Sequence, residues 1–200
     1  MISMIFGLPG SGKTTFLAAL AARAQRGKAL RCGRIWLQDR DSRDYKHIYS
    51  NTPIQGCCVI QPDMIGIYSF RDSLILLDES VLIADSRDYK TIDKALMMWF
   101  KQHRKYGSDV VLASQGYQDN DKRIRDVAAN TYYVKKRGFG RSTMYSVSKE
   151  WKIDKTIEER YALGGFFEQW TIRRKKYYPL FDTGYIHGKP LPDLENPRKW

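Results

Sequence analysis

Residues 7–14 read Gly7-Leu8-Pro9-Gly10-Ser11-Gly12-Lys13-Thr14 and are followed by Thr15. Ahead of them lies a short apolar run over 2–6, which reads as a buried strand. Behind them lies an Ala- and Leu-rich stretch over 13–26 without proline or glycine, a helix pattern that Gly27 and Lys28 end. A strand, the spacing G-x-x-x-x-G-K-[ST] and a helix, in that order, make a P-loop. The chemistry asks for each residue type. Gly7, Gly10 and Gly12 reach φ > 0 and leave room for phosphate oxygens against the backbone. Pro9 and Ser11 complete the turn, and successive N–H groups form an anion nest at a helix N-terminus. Lys13 neutralises the β- and γ-phosphates, and the Thr14 hydroxyl ligates Mg²⁺.

Two further segments fit a nucleotide site. Leu74-Ile75-Leu76-Leu77-Asp78-Glu79 is an apolar strand ending in a carboxylate pair. Asp78 at the strand's C-terminal end is placed to hold Mg²⁺, and Glu79 to polarise an attacking water as general base. The apolar run over 110–113 ends in Ser114-Gln115. A polar residue there suits a sensor of the terminal phosphate, with Gln115 the first candidate and Ser114 the second.

Around these segments the chain alternates strands and helices. Strands are expected over 34–38, 57–61 and 73–77, a loop over 39–51, a helix over 91–106 stopped by Gly107, a strand over 110–113 and a short helix over 121–129. That order argues for an α/β fold, a mainly parallel sheet wrapped by helices. After residue 130 the pattern changes. Residues 131–137 and 143–151 alternate about Gly138-Phe139-Gly140 and read as an antiparallel hairpin, with a basic, aromatic β-like piece over 166–178. The division expected is an NTPase core over 1–130, an antiparallel β extension over 131–178 packed on it, and an extended tail over 179–200.

The 200 residues carry 34 Lys and Arg against 22 Asp and Glu, a net charge of +12, which points to polyanionic partners. With 42% hydrophobic residues the chain can bury a core. No run approaches the ~20 apolar residues of a membrane-spanning helix, and the start has no basic n-region, so a cytoplasmic protein is expected. The three cysteines, Cys32, Cys57 and Cys58, make no disulfide scaffold and suit a reducing compartment. His47, His103 and His187 have no metal-ligand spacing. Lys135-Lys136-Arg137 and Arg173-Arg174-Lys175-Lys176-Tyr177-Tyr178 interleave cations with aromatics. Such segments suit a nucleic-acid backbone or an anionic membrane surface, and equally a solvated edge strand.

The P-loop over 7–15, the strand over 74–79 and above all Gln102-His103-Arg104-Lys105-Tyr106-Gly107 running into 109–115 resemble the zonular occludens toxin (Zot)-like family. These are filamentous-phage assembly ATPases, related to the FtsK-HerA group of DNA-pumping motors. The resemblance implies a RecA-like P-loop NTPase of the additional-strand-and-glutamate kind, binding ATP and Mg²⁺. It further implies a homo-oligomer, such as a hexamer, working with phage coat or DNA-binding assembly proteins to export single-stranded DNA virions through the host inner membrane. Hexameric motors complete the site with an arginine from a neighbouring subunit, for which Arg104, Arg123 and Arg125 are the candidates. Family members usually continue into a transmembrane segment and a second domain, so the present sequence is expected to be a shorter member or the cytoplasmic half. The competing readings are a phage genome-packaging ATPase, a nucleotide or small-molecule kinase, and a non-hydrolysing assembly scaffold.

Overall fold

The computed structural model describes residues 1–28, 30–32, 35–36, 45–79, 94–153, 157–163 and 169–182. Three apolar runs become the centre of one sheet: β1 (Ile2–Phe6), β6 (Ser73–Leu77) and β7 (Asp109–Ser114). Strand β7 lies between the other two, with Ile5 beside Ala113 and Leu77 beside Leu112, all parallel. One added strand thus separates the P-loop strand from the carboxylate strand. Beyond β6 come β4 (His47–Ser50) and β5 (Cys58–Val59), both parallel. On the other flank β8 (Asn130–Arg137) pairs parallel with β1, and β9 (Arg141–Ile153) turns back antiparallel on β8. Antiparallel strands β10 (Ile157–Leu163) and β11 (Gln169–Arg173) then pair with β9.

Two-residue alternation assigns the strand side chains to two cores. Ile5, Leu74, Leu76, Val111 and Ala113 face α1 (Lys13–Ala24), whose Phe16, Leu17 and Leu20 are fully buried. Ile2, Met4, Ile75, Leu77, Val110 and Leu112 face α2 (Lys94–Gln102), with Leu96, Trp99 and Phe100. Strands buried on both faces read as continuous apolar runs, which is why these three were legible. Truncating Phe16, buried at 0% exposure, to alanine would cost about 3–5 kcal/mol.

Several expected boundaries change. The expected loop over 39–51 ends in a strand of the main sheet, β4, in which Ile48 and Ser50 are buried; 39–44 lie outside the described residues. Of the strand expected over 34–38, Ile35–Trp36 forms β3 and pairs with β2 (Arg31–Cys32) in a two-stranded piece apart from the main sheet. Of the helix expected over 91–106, residues 91–93 lie outside the described residues and the rest is α2 followed by a 3-10 turn, His103–Tyr106, closed by Gly107 at φ 70°. A Cβ on Gly107 would stand 2.7 Å from the Asp72 carboxylate. The short helix is α3 (Lys122–Val127), capped by the Asp121 side chain on the Arg123 N–H.

The expected hairpin is present, but its first strand belongs to the central sheet through β1. Of the β-like piece over 166–178, residues 166–168 lie outside the described residues and the rest is β11 followed by two 3-10 turns, Arg174–Lys176 and Tyr178–Leu180. Residues 179–182 are not an extended tail. The Gln55 N–H donates to the Leu180 carbonyl (2.7 Å), and Ile54 and Phe181 form a β-bridge. The remaining 183–200 lie outside the described residues. No helix among the described residues is long and apolar enough to cross a membrane.

Candidate functional site

Parallel strands deliver their C-terminal ends to one edge of the sheet, and β1 and β6 bring residues 7–14 and 78–79 together there. The loop after β1 turns through Gly10 (φ 69°) and Gly12 (φ 102°), the latter opening α1. Both lie in the left-handed region that favours glycine. Gly7 is fixed by space instead, since a Cβ there would meet the Val134 carbonyl oxygen of β8 at 2.4 Å. Pro9 is exposed on the outer side of the turn, Ser11 is buried beneath it, and Thr15 is buried in the first turn of α1.

Lys13 is 8% exposed and its ammonium donates to the carbonyls of Gly7 (2.8 Å) and Leu8 (3.3 Å). Burial pushes its pKa below the ordinary 10.5, and the attraction of Asp78 and Glu79 opposes the shift without cancelling it. The Thr14 hydroxyl donates to the Asp78 carboxylate at 2.5 Å. Two hard oxygen donors therefore meet beside a buried ammonium, a donor set that fits Mg²⁺ completed by phosphate and water oxygens. Among the described residues no group of three or more His, Cys, Asp or Glu forms a metal site by itself.

Asp78 is buried and held by a residue the sequence did not single out. The Asn51 amide, at the end of β4, accepts from the Asp78 N–H and donates to the Asp78 carbonyl, both at 2.7 Å. Glu79 follows with φ 48°, a left-handed conformation unusual for a side chain of its size. Its side chain lines a cleft of about 320 Å³ together with Lys13, Thr14, Thr52 and Asp78.

The remaining candidates lie farther out. Ser114 is buried and turns its hydroxyl onto the Gly116 carbonyl (2.9 Å). Gln115 is exposed just past the end of β7, at the same edge of the sheet as Phe6, and does not line the cleft. Arg104 is exposed in the 3-10 turn leading into β7, at the opposite end of the strands from the P-loop. Arg123 pairs with the Asp121 carboxylate through two nitrogens at 3.0 Å. Arg125 lies 5.0 Å from the Tyr117 ring centroid. None of the three arginines reaches the cleft of its own chain.

The cleft is closed by the C-terminal strands. The Ser142 hydroxyl of β9 donates to the Ser11 carbonyl (2.6 Å) in a buried contact. Beyond β11, Arg174, Tyr178, Phe181 and Asp182 line the cleft directly. The basic run over 173–178 is therefore divided. Arg173 lies on the outer face beside Arg141, and Arg174 lies inside.

A solved structure shares this architecture. The N-terminal domain of zonular occludens toxin from Neisseria meningitidis superposes with TM-score 0.54 at 18% identity, over 90% of this chain and 98% of that one. The genome packaging NTPase from Sulfolobus turreted icosahedral virus 2, in complex with ATP-gammaS, aligns with TM-score 0.49 at 10% identity, over 80% and 95%. No curated protein matches the chain. The fold is that of a P-loop NTPase, α/β with a mostly parallel central sheet and antiparallel C-terminal strands. The zonular occludens toxin (Zot) family model matches residues 47–189, taking in the carboxylate strand, the segment into β7 and the strands that close the cleft, while the P-loop lies ahead of the match. The chain belongs to the zonular occludens toxin family.

Proposed function

We propose that the chain is a Mg²⁺-dependent ATPase that drives filamentous phage assembly, extruding single-stranded DNA virions through the host inner membrane. The observation that carries the ATPase reading is the contact of Thr14 with Asp78, which joins the anion nest to the carboxylate strand in one cleft. In this reading the N–H groups over 10–14 and the Lys13 ammonium bind the β- and γ-phosphates. Thr14 and Asp78 hold Mg²⁺, which supplies charge neutralisation at the phosphate oxygens. Glu79 accepts the proton of the attacking water.

Support for a nucleic-acid partner comes from the outer face of the C-terminal strands. Arg137, Arg141 and Arg173 stand in one row across β8, β9 and β11. Phe139 projects from the adjoining turn at 99% exposure. Cations in a row beside an exposed ring suit a single strand, whose phosphates and bases they can engage together. The motor acts as a homo-oligomer at the inner face of the membrane with coat or DNA-binding assembly proteins, and an arginine of a neighbour, Arg104, Arg123 or Arg125, stabilises the transferring phosphoryl group. Specific ATPase activity then rises with protein concentration.

Titration of labelled ATP with Mg²⁺ against wild type and Lys13→Ala tests the binding step. Loss of one charge-assisted contact predicts roughly 10- to 100-fold weaker binding. Equal affinity would refute the assignment of the P-loop.

A further inference from the structure

The sequence places Arg174 inside a basic run, where it looks like one more surface cation. Its position in the fold differs from that of its neighbours. Along β11 side chains alternate, so Ile172 is buried in the α1 core while Thr171 and Arg173 are exposed on the other face. Residue 174 returns to the inner side just as the strand ends, with its N–H bonded to the Gly140 carbonyl (2.9 Å). Its aliphatic stem lies over Gly12, where a Cβ would stand 3.3 Å from Arg174 Cδ. Its guanidinium extends toward Gly10, and Nη1 makes one long contact, 3.5 Å, with the Gly10 carbonyl. Nε is buried and has no hydrogen-bond partner among the described residues.

An arginine has five N–H donors, and the burial of one without a partner is costly. This one lies over the glycines whose N–H groups form the anion nest, with Lys13 on the same cleft. The chain after it is firmly held. Tyr177, Leu180 and Phe181 pack against the α1 core, the Gln55 N–H donates to the Leu180 carbonyl at 2.7 Å, and Tyr178 meets Phe181 edge-on at 6.4 Å. Tyr178 and Phe181 thus form an aromatic wall on the cleft beyond Arg174.

We propose that the segment over 174–182 is the fourth wall of the nucleotide site, with Arg174 an arginine supplied in cis to the β- and γ-phosphates and with Tyr178 and Phe181 flanking the base. This rests on the ATP reading of the P-loop. It differs from the neighbour's arginine in source: Arg174 acts in the chain that carries the P-loop, and its effect does not require assembly. It also separates two roles within the run, since Arg173 faces outward.

The test measures affinity for labelled ATP, ADP and AMP, each with Mg²⁺, at a protein concentration shown by light scattering to be monomeric. The proteins are wild type, Lys13→Ala, Lys175→Ala, Arg174→Ala, Arg174→Lys and Tyr178→Ala. Arg174→Met, which keeps the stem over Gly12, serves if the alanine variant melts early. Arg174→Ala or Arg174→Met should weaken ATP and ADP by roughly 10- to 100-fold, the scale of charge-assisted hydrogen bonds, and AMP by little. Arg174→Lys should recover part of the loss, since the charge remains and the fork is lost. Tyr178→Ala should weaken all three nucleotides alike, and Lys175→Ala, exposed in the same basic run and outside the cleft, none. Wild-type affinity in the Arg174 variants, with Lys13→Ala impaired, would overturn the proposal and leave the P-loop reading intact. An Arg174 effect seen only in the assembled protein would overturn its action in cis. No nucleotide binding by wild type would overturn both.

Discussion

Asn51 and Asp78 form a closed pair: the side-chain amide of one accepts from the backbone N–H and donates to the backbone carbonyl of the other, both at 2.7 Å and both buried. The residue after a parallel edge-side strand thereby fixes the main chain that carries the candidate metal carboxylate. Each buried backbone group left without its partner costs about 1–3 kcal/mol. Asn51→Ala should lower unfolding stability by about 2–3 kcal/mol and raise the Mg²⁺ concentration needed for half-maximal ATP binding. Asn51→Asp keeps the acceptor but turns an oxygen toward the Asp78 carbonyl, and should be at least as damaging. Denaturant titration with a Mg²⁺ series on each variant decides the matter. Unchanged Mg²⁺ dependence in both would reduce Asn51 to a structural residue.

Lys13 gives a pH prediction with a definite sign. Burial holds its pKa below 10.5, and bound phosphate would raise it again, so nucleotide binding takes up protons as pH rises into that window. Affinity should fall as pH climbs through the lowered value. The protein without nucleotide should show the opposite trend from this group, gaining stability between the lowered pKa and 10.5, because the unfolded chain binds more protons there. Calorimetric titrations in buffers of different ionisation enthalpy measure the proton uptake. A release of protons at alkaline pH would contradict the role given to Lys13.

The arginine row predicts opposed effects of one change. Arg141 stands directly opposite Arg137 on one side and Arg173 on the other. Like charges so placed destabilise a sheet by a few tenths of a kcal/mol to about 1 kcal/mol. Arg141→Thr should raise the melting temperature slightly and weaken binding of a labelled oligothymidine, lowering the salt dependence by about 0.7 in log–log slope. Phe139→Ala should weaken binding through lost stacking without changing that slope. A more stable Arg141→Thr protein with unaltered DNA affinity would take the nucleic acid away from this face.

The P-loop and the carboxylate strand were legible because each is a contiguous motif on a strand buried on both faces. Residues acting from a distance were not. Asn51 follows a four-residue strand, His47–Ser50, that carries His, Tyr and Ser and resembles a loop, and its partner is 27 positions away. Arg174 was hidden by composition, since a basic run gives no sign of which cation turns inward. The signal that could have found it is parity: Trp170 and Ile172 are the apolar residues of β11 and face the core, so residue 174 shares their side. The same parity sets Met144 toward the core and Ser142 against the P-loop.

Hydrolysis of ATP by water turns on Glu79. Its left-handed backbone, φ 48°, is an arrangement that costs about 1–2 kcal/mol for a non-glycine residue. Glu79→Gln preserves shape and hydrogen bonding and removes the basicity. The decisive measurement is phosphate release together with ATP affinity on the same samples of wild type and Glu79→Gln, at concentrations where the wild type turns over. The account predicts retained ATP and Mg²⁺ binding with release slowed by roughly 10²-fold or more. Phosphate release by Glu79→Gln at the wild-type rate would contradict it, whatever the P-loop binds.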